Sequence, residues 1–457
     1  MKILFVMRAA GTFSHHKSII ESFVKKGHSV LVFFDKEISK KSPNKEELDK
    51  LKTELDGFNY EYVASRQDWW RHVLLITREV LSYRHYLLMG EQSDFYRRDW
   101  INFLPGRLRP LVLRKESLTN RIIMSVFLKW AFSFIEKISP PDQNIVAIIN
   151  RHKPDAVLAT PVNFRHSSAD LEYLKAAKWL GIPTVLPVYS WDNLTVRGLV
   201  HVIPDLVLAW NEVQAEEAII HHNIPKSIIR ITGAFLFDRW FTYLVPSQGR
   251  HSFCSEYGIR AEDPYLVYLG SSRNIAENEV WLVRRLRRVL DESGDPNLAR
   301  VQIIIRPHPA HFGIYEELDG EKNICIIPRH GSLPSTKAAL QLFYDTLHYS
   351  IGTVGVNTSG MIDALIADKP GIAMITEKYK ETQFEALHFK QIFEARALCF
   401  TETNEEFVAS IRDFLGGRDE CQQNRREFIK KFIRPRGIDM PAGDLAVKEV
   451  EKLINKT

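Results

Sequence analysis

VQIIIRPHP, residues 301–309, is an apolar run that ends abruptly in an arginine, a histidine and two prolines. The run is long enough for a buried strand and too short for a membrane span. Its polar residues therefore stand at the carboxyl end of a strand, which is where ligands bind in open α/β sheets. We interpret Arg306 and His308 as a phosphate-binding pair on a platform stiffened by the prolines. The alternative is a histidine that only satisfies nearby backbone groups.

A second stretch, GTVGVNTSGMIDALIADKPGIAMI at residues 352–375, predicts a loop, a helix, a turn and another strand. At the start of that helix, free backbone N–H groups, hydroxyl groups and the helix dipole favour a phosphate oxygen. The alternative is ordinary helix capping by Thr or Ser, which needs no ligand. Together with Arg306 and His308, this stretch predicts one phosphate-binding crevice. Its predicted members here are Asn357, Thr358, Ser359 and Gly360.

These two motifs carry a family resemblance. An R-x-H-P at one strand end, followed by a T-S-G turn that opens a helix ending in D-K-P, resembles the carboxyl-terminal domain of GT-B glycosyltransferases. The His-Pro pair with its downstream Ser/Thr is similar to bacterial capsule and lipopolysaccharide enzymes that use CMP-sialic acid or CMP-Kdo. It is also similar to the CDP-glycerol glycerophosphotransferases of teichoic acid synthesis. The resemblance implies two Rossmann-like domains facing a cleft, with base contacts from backbone groups near Ile327.

Composition sets the outer bounds. A chain of 457 residues is long for a single core, so two domains are expected. The 45% hydrophobic and 26% charged content is typical of a globular protein, and no apolar run is long enough to span a membrane. The apolar amino terminus is interpreted as a strand, not a signal peptide. Four cysteines without a C-x-x-C pair indicate neither a zinc site nor a disulfide framework.

The first domain opens with a strand, a helix and a second strand over residues 3–34, similar to the first unit of GT-B amino-terminal domains. A right-handed crossover places the loop with Gly11, His15 and His16 at the carboxyl edge of the sheet, facing the predicted cleft. No G-x-G-x-x-G is present, which disfavours a dinucleotide. The two histidines are interpreted either as acceptor-side groups or as ordinary polar loop residues.

YSWDNLT, residues 189–195, follows another predicted strand of the first domain. Trp191 offers a face on which a sugar can stack, and Asp192 offers a carboxylate that can take a proton from an acceptor hydroxyl. Ser190 and Asn193 complete the predicted acceptor side. The alternative is an Asp-Asn turn with a buried Trp191.

Residues 69–138 combine aromatic and basic residues in helix-like patterns. The segment holds twelve basic residues against seven acidic ones, counting Asp68 at its edge. Basic residues with aromatic neighbours suit an anionic membrane surface. Nucleic acid would select similar residues, but no RNA- or DNA-binding module is visible. The alternative is a helical insertion, at about 67–139, whose aromatic residues form its core.

Domain limits follow from composition. A Pro-, Ser-, Gln- and Gly-containing stretch places the boundary near Val245, giving a first domain at 1–245 and a nucleotide domain at 246–430. The resemblance implies that the helix of 431–457 packs back onto the first domain. In the nucleotide domain, Gly270, Ser271 and Ser272 are predicted to approach a pyrophosphate. Asp363 is predicted either to bind the donor ribose or to stabilise its own helix start.

We therefore expect a metal-independent, inverting glycosyltransferase that moves a sugar from a CMP-, UDP- or GDP-linked donor. Asp192 is the first choice for general base, with His15 and His16 next. Arg306, a protonated His308 and the helix start would offset charge on the departing phosphate. No Asp-x-Asp pair is present, and no metal or further cofactor is expected.

Other functions remain open at this stage. The alternatives are a CDP-glycerol glycerophosphotransferase, a sugar-nucleotide 2-epimerase, and a non-enzymatic membrane-surface partner with a vestigial nucleotide cleft. The expected acceptor is a surface glycan or a lipid-linked one, and no nucleic acid is expected. A cytoplasmic location is expected, with attachment to the inner face of the plasma membrane as the alternative to free diffusion.

Overall fold

A computed structural model describes residues 1–40, 44–89, 94–164, 168–242 and 244–456. The chain forms two compact units. The first unit consists of residues 1–239 together with 431–457, and the second unit consists of residues 240–430. Each unit is a parallel β-sheet covered by helices, so the predicted pair of Rossmann-like α/β domains is confirmed.

The first unit is built on a seven-stranded parallel sheet in the order β3-β2-β1-β4-β5-β6-β7. Its central strands are buried on both faces, which is why they are near-continuous apolar runs. The strands are β1 (Lys2–Met7), β2 (Ser29–Asp35), β3 (Phe58–Val63), β4 (Ala156–Thr160), β5 (Thr184–Pro187), β6 (Leu206–Ala209) and β7 (Ile229–Ile231). The helices are α1 (Lys17–Lys25), α2 (Lys36–Ser39), α3 (Lys45–Glu54), α4 (Trp70–Met89), α5 (Asp94–Phe103), α6 (Arg109–Val112), α7 (Leu118–Met124), α8 (Val126–Ile138), α9 (Gln143–His152), α10 (Ala169–Trp179), α11 (Asn193–Val196) and α12 (Glu212–His222).

The second unit has a six-stranded parallel sheet in the order β10-β9-β8-β11-β12-β13. Its strands are β8 (Tyr265–Leu269), β9 (Gln302–Arg306), β10 (Ile324–Ile326), β11 (Gly352–Gly355), β12 (Gly371–Met374) and β13 (Cys399–Thr401). Its helices are α13 (Arg250–Glu256), α14 (Val280–Glu292), α15 (Pro296–Arg300), α16 (Lys337–His348), α17 (Ser359–Ile366), α18 (Leu387–Glu394), α19 (Asn404–Leu415) and α20 (Gln422–Phe428).

The last helix, α21 (Ala442–Ile454), belongs to the first unit and packs on α1. Asp238 accepts hydrogen bonds from the backbone N–H groups that open α21 and pairs with Arg434. Gly443 is needed for the close approach, because a Cβ there would lie 2.8 Å from the backbone carbonyl oxygen of Ser18.

Helices α4 to α8 join β3 to β4, which confirms the predicted helical insertion; its residues 90–93 lie outside the described residues. The aromatic side chains of this insertion divide into two groups. Tyr83, Tyr86, Tyr96 and Trp100 are buried, whereas Trp69, Phe127, Trp130 and Phe134 are exposed. The insertion therefore has an aromatic core of its own and a separate exposed aromatic surface.

A buried ionic network joins the insertion to α10. Arg78 of α4 pairs with Glu136 of α8 at 2.7 Å and with Glu172 of α10 at 2.5 Å, and Lys175 also reaches Glu136 at 2.8 Å. Arg66 holds the second oxygen of Glu172 at 3.1 Å. Each buried charge thus has an opposite charge in contact, which is what allows charges to be buried.

Among the described residues, no single helix is long and apolar enough for a membrane span. Only α7 and α8 taken together meet that test, and they are bent by 59° where they join.

We predict that Arg78→Met lowers the free energy of unfolding by about 3–5 kcal/mol, because two buried carboxylates each lose one of their two cationic partners. Urea unfolding of the full chain measures this. Lys40→Met is the control, since Lys40 and Glu37 form an exposed pair and the exchange should cause no measurable change. Equal stability of the Arg78→Met variant and the parent would show that the network does not hold the insertion.

Candidate functional site

The carboxyl edge of the second sheet brings the two sequence motifs together. Register pairs Arg306 of β9 with Leu269 of β8, and Leu269 with Gly355 of β11, so these three strand ends lie side by side. Alternation along β9 turns Ile303 and Ile305 towards α14 and α19, and places Arg306 on the face of α16 and α17. Arg306 and the Thr358 turn that opens α17 therefore share one face and one edge.

The Arg306 side chain is buried and only partly satisfied. Its Nη2 donates to the carbonyl oxygen of Ser332 at 2.7 Å, and its guanidinium carbon lies 3.9 Å from the centre of the Phe343 ring. Its Nη1 is buried and has no hydrogen-bond partner among the described residues. Burial lowers the pKa of Arg306 to about 10, against the opposing effect of the Asp363 carboxylate. The group is still a cation at neutral pH, with one donor left for an anion.

His308 stands two residues beyond β9, in the loop that follows it. The backbone N–H of Ala310 donates to its Nδ1 at 3.2 Å, so the neutral ring carries its proton on Nε2. Burial lowers the pKa of His308, with His311 adding to the effect. Burial therefore opposes the predicted protonated form of His308, which stays a prediction. Gly331 braces this loop: its φ is +64°, and a Cβ there would lie 2.8 Å from the Pro307 carbonyl oxygen.

The start of α17 combines capping with exposed polar groups. The Thr358 hydroxyl accepts from the Gly360 N–H at 3.4 Å, so the capping interpretation holds for this hydroxyl. Ser359 is exposed at the first helical position. Asn357 is buried, and its amide donates to the Thr382 carbonyl oxygen at 2.8 Å, which makes it a support of the turn and not an available ligand group.

Glu279 organises the loop after β8 and was missed by the sequence analysis. Its buried carboxylate accepts from the Ser271 N–H at 2.7 Å, the Ser271 hydroxyl at 3.0 Å, and the hydroxyls of Tyr268 and Tyr315 at 3.1 and 2.9 Å. Burial raises the pKa of Glu279 despite these donors. The donors of Ser271 are thus committed within the protein, which corrects their predicted role towards a pyrophosphate.

The remaining residues of the second unit that were predicted to bind the donor differ in their exposure and hydrogen bonding. Gly270 is a close-approach position, since a Cβ there would lie 3.3 Å from the Arg306 carbonyl oxygen, and Ser272 is partly exposed. The Ile327 N–H bonds to the Ile305 carbonyl at 2.9 Å and is not available for a base. Asp363 is buried and accepts a hydrogen bond from the indole N–H of Trp240, so its predicted ribose contact is not open in this arrangement.

A groove of about 600 Å³ lies next to His308, between the loops that follow β8 and β9. Arg273 and Asn278 line one wall, and Pro309 and Ala310 line the other. The two loops are bridged where the His311 ring contacts the Glu277 carbonyl oxygen at 2.9 Å. This volume is in the range of small-molecule sites.

In the first unit, Asp192 is held at the carboxyl end of β5. Ser190 donates to its Oδ1 at 2.5 Å and Arg197 contacts its Oδ2 at 3.3 Å. Asn193 is buried and anchors the loop through Asn163 at 2.6 Å. Trp191 is buried as well, so it matches the turn interpretation and not the predicted stacking face.

The two predicted histidines differ. The His15 and Tyr189 rings stack with their centres 4.5 Å apart. Burial lowers the pKa of His15 to about 4, and the Asp192 charge acts in the opposite direction. It is neutral at physiological pH and able to accept a proton. His16 is fully buried between aromatic rings, 5.3 Å from Phe5, with a pKa lowered by burial, which fits a core histidine. Gly11 lies in the preceding turn, at the same loop.

Glu217 of α12 is a second carboxyl group near Asp192 that the sequence did not reveal. Its Oε2 is buried and has no hydrogen-bond partner in the described part of the chain. Burial, followed by the Asp192 charge, raises the pKa of Glu217 to about 8. One carboxyl group is thus protonated at neutral pH beside another that is ion-paired, an arrangement that separates an acid from a base.

Across the described ranges, no group of three or more His, Cys, Asp or Glu side chains is placed to hold a metal ion.

Comparisons with known proteins identify the fold. No family model and no curated protein matches the chain. The structure is similar to the UDP-GlcNAc 2-epimerase of Methanocaldococcus jannaschii, with a TM-score of 0.55 and 12% identity over 99% of this chain and 100% of that one. It is also similar to a glycosyltransferase from Rickettsia africae, with a TM-score of 0.54 and 11% identity over 100% of this chain and 99% of that one. A third similar structure is Arabidopsis thaliana UGT89C1 complexed with UDP, with a TM-score of 0.51 and 14% identity over 99% of both chains.

These likenesses show that the chain has the GT-B fold, as the sequence predicted. The narrower resemblance to CMP-sugar and CDP-glycerol enzymes stays a prediction.

We predict that Glu217 makes the protein less stable as pH rises from about 4.5 towards 8. In that range the folded chain keeps the Glu217 proton that the unfolded chain releases. The free energy of unfolding therefore falls as the pH rises. Glu217→Gln should flatten this part of the curve of melting temperature against pH. Glu216→Gln, at the exposed neighbouring position, should leave the curve unchanged. Identical curves for the Glu217→Gln variant and the parent would contradict the raised pKa.

Proposed function

We propose that the chain is a metal-independent, inverting glycosyltransferase whose second unit binds the diphosphate of a nucleotide-sugar donor. One observation carries the proposal: a buried guanidinium donor of Arg306 without a partner among the described residues, on the sheet edge and face where α17 begins. A desolvated cation with a free donor next to a helix amino terminus favours phosphate oxygens. The neutral Nε2–H of His308 adds a further donor.

The fold supports a nucleotide ligand and suggests which one to test first. UGT89C1 was determined with UDP, and the two other structures named above are a UDP-GlcNAc 2-epimerase and a glycosyltransferase. UDP therefore heads the candidates, ahead of the CMP and GDP carriers that the sequence also allowed. The acceptor in this proposal is a surface glycan or a lipid-linked one, and the cell compartment is the cytoplasm or the inner face of the plasma membrane.

Transfer needs a base for the acceptor hydroxyl, and the first unit offers one in Asp192. Its contacts with Ser190 and Arg197 orient the carboxylate. His15 is the reserve base, because it is neutral at physiological pH. Arg306 and His308 would stabilise the negative charge that grows on the departing phosphate.

A sugar-nucleotide 2-epimerase is the second candidate, and a specific observation favours it. Epimerisation removes a proton from one face of a carbon and returns a proton to the other, which calls for a paired base and acid. The first unit holds the ion-paired Asp192 and also Glu217, whose pKa is raised to about 8 by burial and by the Asp192 charge. Several of the similar structures are UDP-GlcNAc 2-epimerases.

The donor site is tested by thermal shift with UDP, CDP, CMP, GDP, dTDP and CDP-glycerol. We expect one nucleotide to raise the melting temperature, by an amount corresponding to about 2.7 kcal/mol at a hundred times its dissociation constant. His308→Ala should weaken the binding of that nucleotide at least tenfold and lower turnover at least tenfold. His251→Ala, at an exposed histidine of the same unit, should change neither value. A chain that no nucleotide stabilises would refute the donor site.

The reaction is tested by NMR of the sugar-nucleotide donor in D2O. A transferase leaves the donor intact until an acceptor is added, whereas a 2-epimerase converts it alone and incorporates deuterium at carbon 2. For the transferase, Asp192→Asn should abolish transfer and leave the nucleotide thermal shift intact, because Asp192 and the donor site belong to different units. An active Asp192→Asn variant would move the role of base to His15.

A further inference from the structure

Helix α8 is unusual for a surface helix because it exposes a stripe of large apolar side chains. All thirteen of its residues are described, and none of them is buried. Phe127, Trp130, Phe134 and Ile138 recur at a helical spacing, so they form one stripe, and their side chains are 46–77% exposed. The Trp130 and Phe134 rings stack on each other at 5.5 Å within this stripe.

The protein-facing side of α8 combines partly buried apolar residues with one charged residue, Glu136. Glu136 lies there, bonded to Arg78 at 2.7 Å and to Lys175 at 2.8 Å, and Lys175 also donates to the Glu136 carbonyl oxygen at 2.8 Å. These buried contacts fix the rotation of the helix about its axis. Rolling the helix to bury the apolar stripe would break these ion pairs, so the stripe stays exposed.

Helix α7 and the turn after it extend the same exposed apolar surface. Ile123 and Asn120 of α7 are buried, whereas Leu118 and Ile122 are 72% and 51% exposed and Val126 follows at 77%. Arg84 holds the junction of the two helices through the Met124 carbonyl oxygen at 3.2 Å. We call Leu118, Ile122, Val126, Phe127, Trp130, Phe134 and Ile138 the α7–α8 face.

The surroundings of this face are basic. Residues 107–138 contain seven Lys and Arg residues and two acidic residues, and one of those, Glu136, is neutralised by buried partners. Arg121, Lys129 and Lys137 are exposed next to the apolar stripe. An apolar stripe with aromatic residues and a cationic margin is complementary to the headgroup region of an anionic bilayer.

We propose that the α7–α8 face docks on an anionic lipid bilayer, lying in the plane of the interface with its aromatic and aliphatic side chains in the headgroup and acyl boundary. A second copy of the chain is a poorer occupant, because a two-fold interface would place equal cationic margins against each other. Helix α8 alone is about 20 Å long, which is too short for a hydrocarbon core of about 30 Å and suits a helix that lies in the interface.

The proposal narrows the membrane prediction from residues 69–138 to two helices, and assigns the buried aromatic residues of α4 and α5 to the core. It is independent of the donor site in the second unit. A failure of vesicle binding would leave nucleotide binding untouched, and the reverse also holds.

Flotation of the full chain with phosphatidylcholine vesicles containing about 30% phosphatidylglycerol tests the proposal. We expect the chain to float with these vesicles, less at about 0.5 M NaCl, and much less with pure phosphatidylcholine. Phe127→Ser combined with Trp130→Ser should lower the bound fraction at least tenfold. Trp179→Ser is the matched control, since Trp179 is a tryptophan of the first unit with the same 62% exposure as Trp130.

The electrostatic part is tested with Lys129→Glu combined with Lys137→Glu, which should weaken binding only to the anionic vesicles. Lys50→Glu with Lys52→Glu on α3 is its control. A parent chain that does not bind anionic vesicles would overturn the proposal, as would a double serine variant at positions 127 and 130 that binds like the parent. Sedimentation showing a parent dimer that this double variant converts to monomer, without vesicle binding, would assign the face to a second copy.

Discussion

The parallel alignment of strands is the constraint on which the candidate donor site depends. Hydrogen bonds between parallel strands hold Arg306, Leu269 and Gly355 in one row, so residues from distant parts of the sequence finish at one edge. Side-chain alternation then chooses the face, and it puts Arg306 on the side where α17 begins. A shift of one residue in β9 would send the guanidinium to the opposite face, among the apolar side chains that pack on α14.

The buried carboxyl groups of this chain are of two kinds. Some support the fold through hydrogen bonds and ion pairs, and one is a candidate for acid–base chemistry. Glu279 and Glu172 are fully engaged, the first by hydroxyl and N–H donors and the second by two arginines. Such groups hold loops and helices in place, since a buried charge is tolerated only when its partners are present. Glu217 has an oxygen without a partner in the described part of the chain, and its proton is retained to about pH 8. Because Glu279 has hydrogen-bond donors on its carboxylate and this Glu217 oxygen has none among the described residues, we propose Glu217 and not Glu279 for acid–base chemistry.

Helix α8 of the insertion differs from the elements of the two sheets in exposing an aromatic stripe. In the sheets, apolar side chains turn inward and pack against helices, whereas α8 turns Glu136 inward and its aromatic stripe outward. The ionic network with Arg78 and Lys175 fixes this orientation of α8. If the α7–α8 face binds lipid as proposed, it would suit a lipid-linked acceptor for the proposed transfer.

The sequence by itself determined the elements and their ends. Apolar runs that stop at Arg306 and at the Thr358 turn are local signals, and the sequence correctly predicted two parallel α/β units and a helical insertion. Only the tertiary structure decided which polar groups remain available. Ser271, Asn357 and Asn193 are committed to partners that come from other elements, and the burial of Glu279 and Glu217 is imposed by neighbours remote in sequence. Periodicity reports which face of an element is apolar, but the hydrogen-bond partners and solvation of a side chain are set by what the fold packs against it.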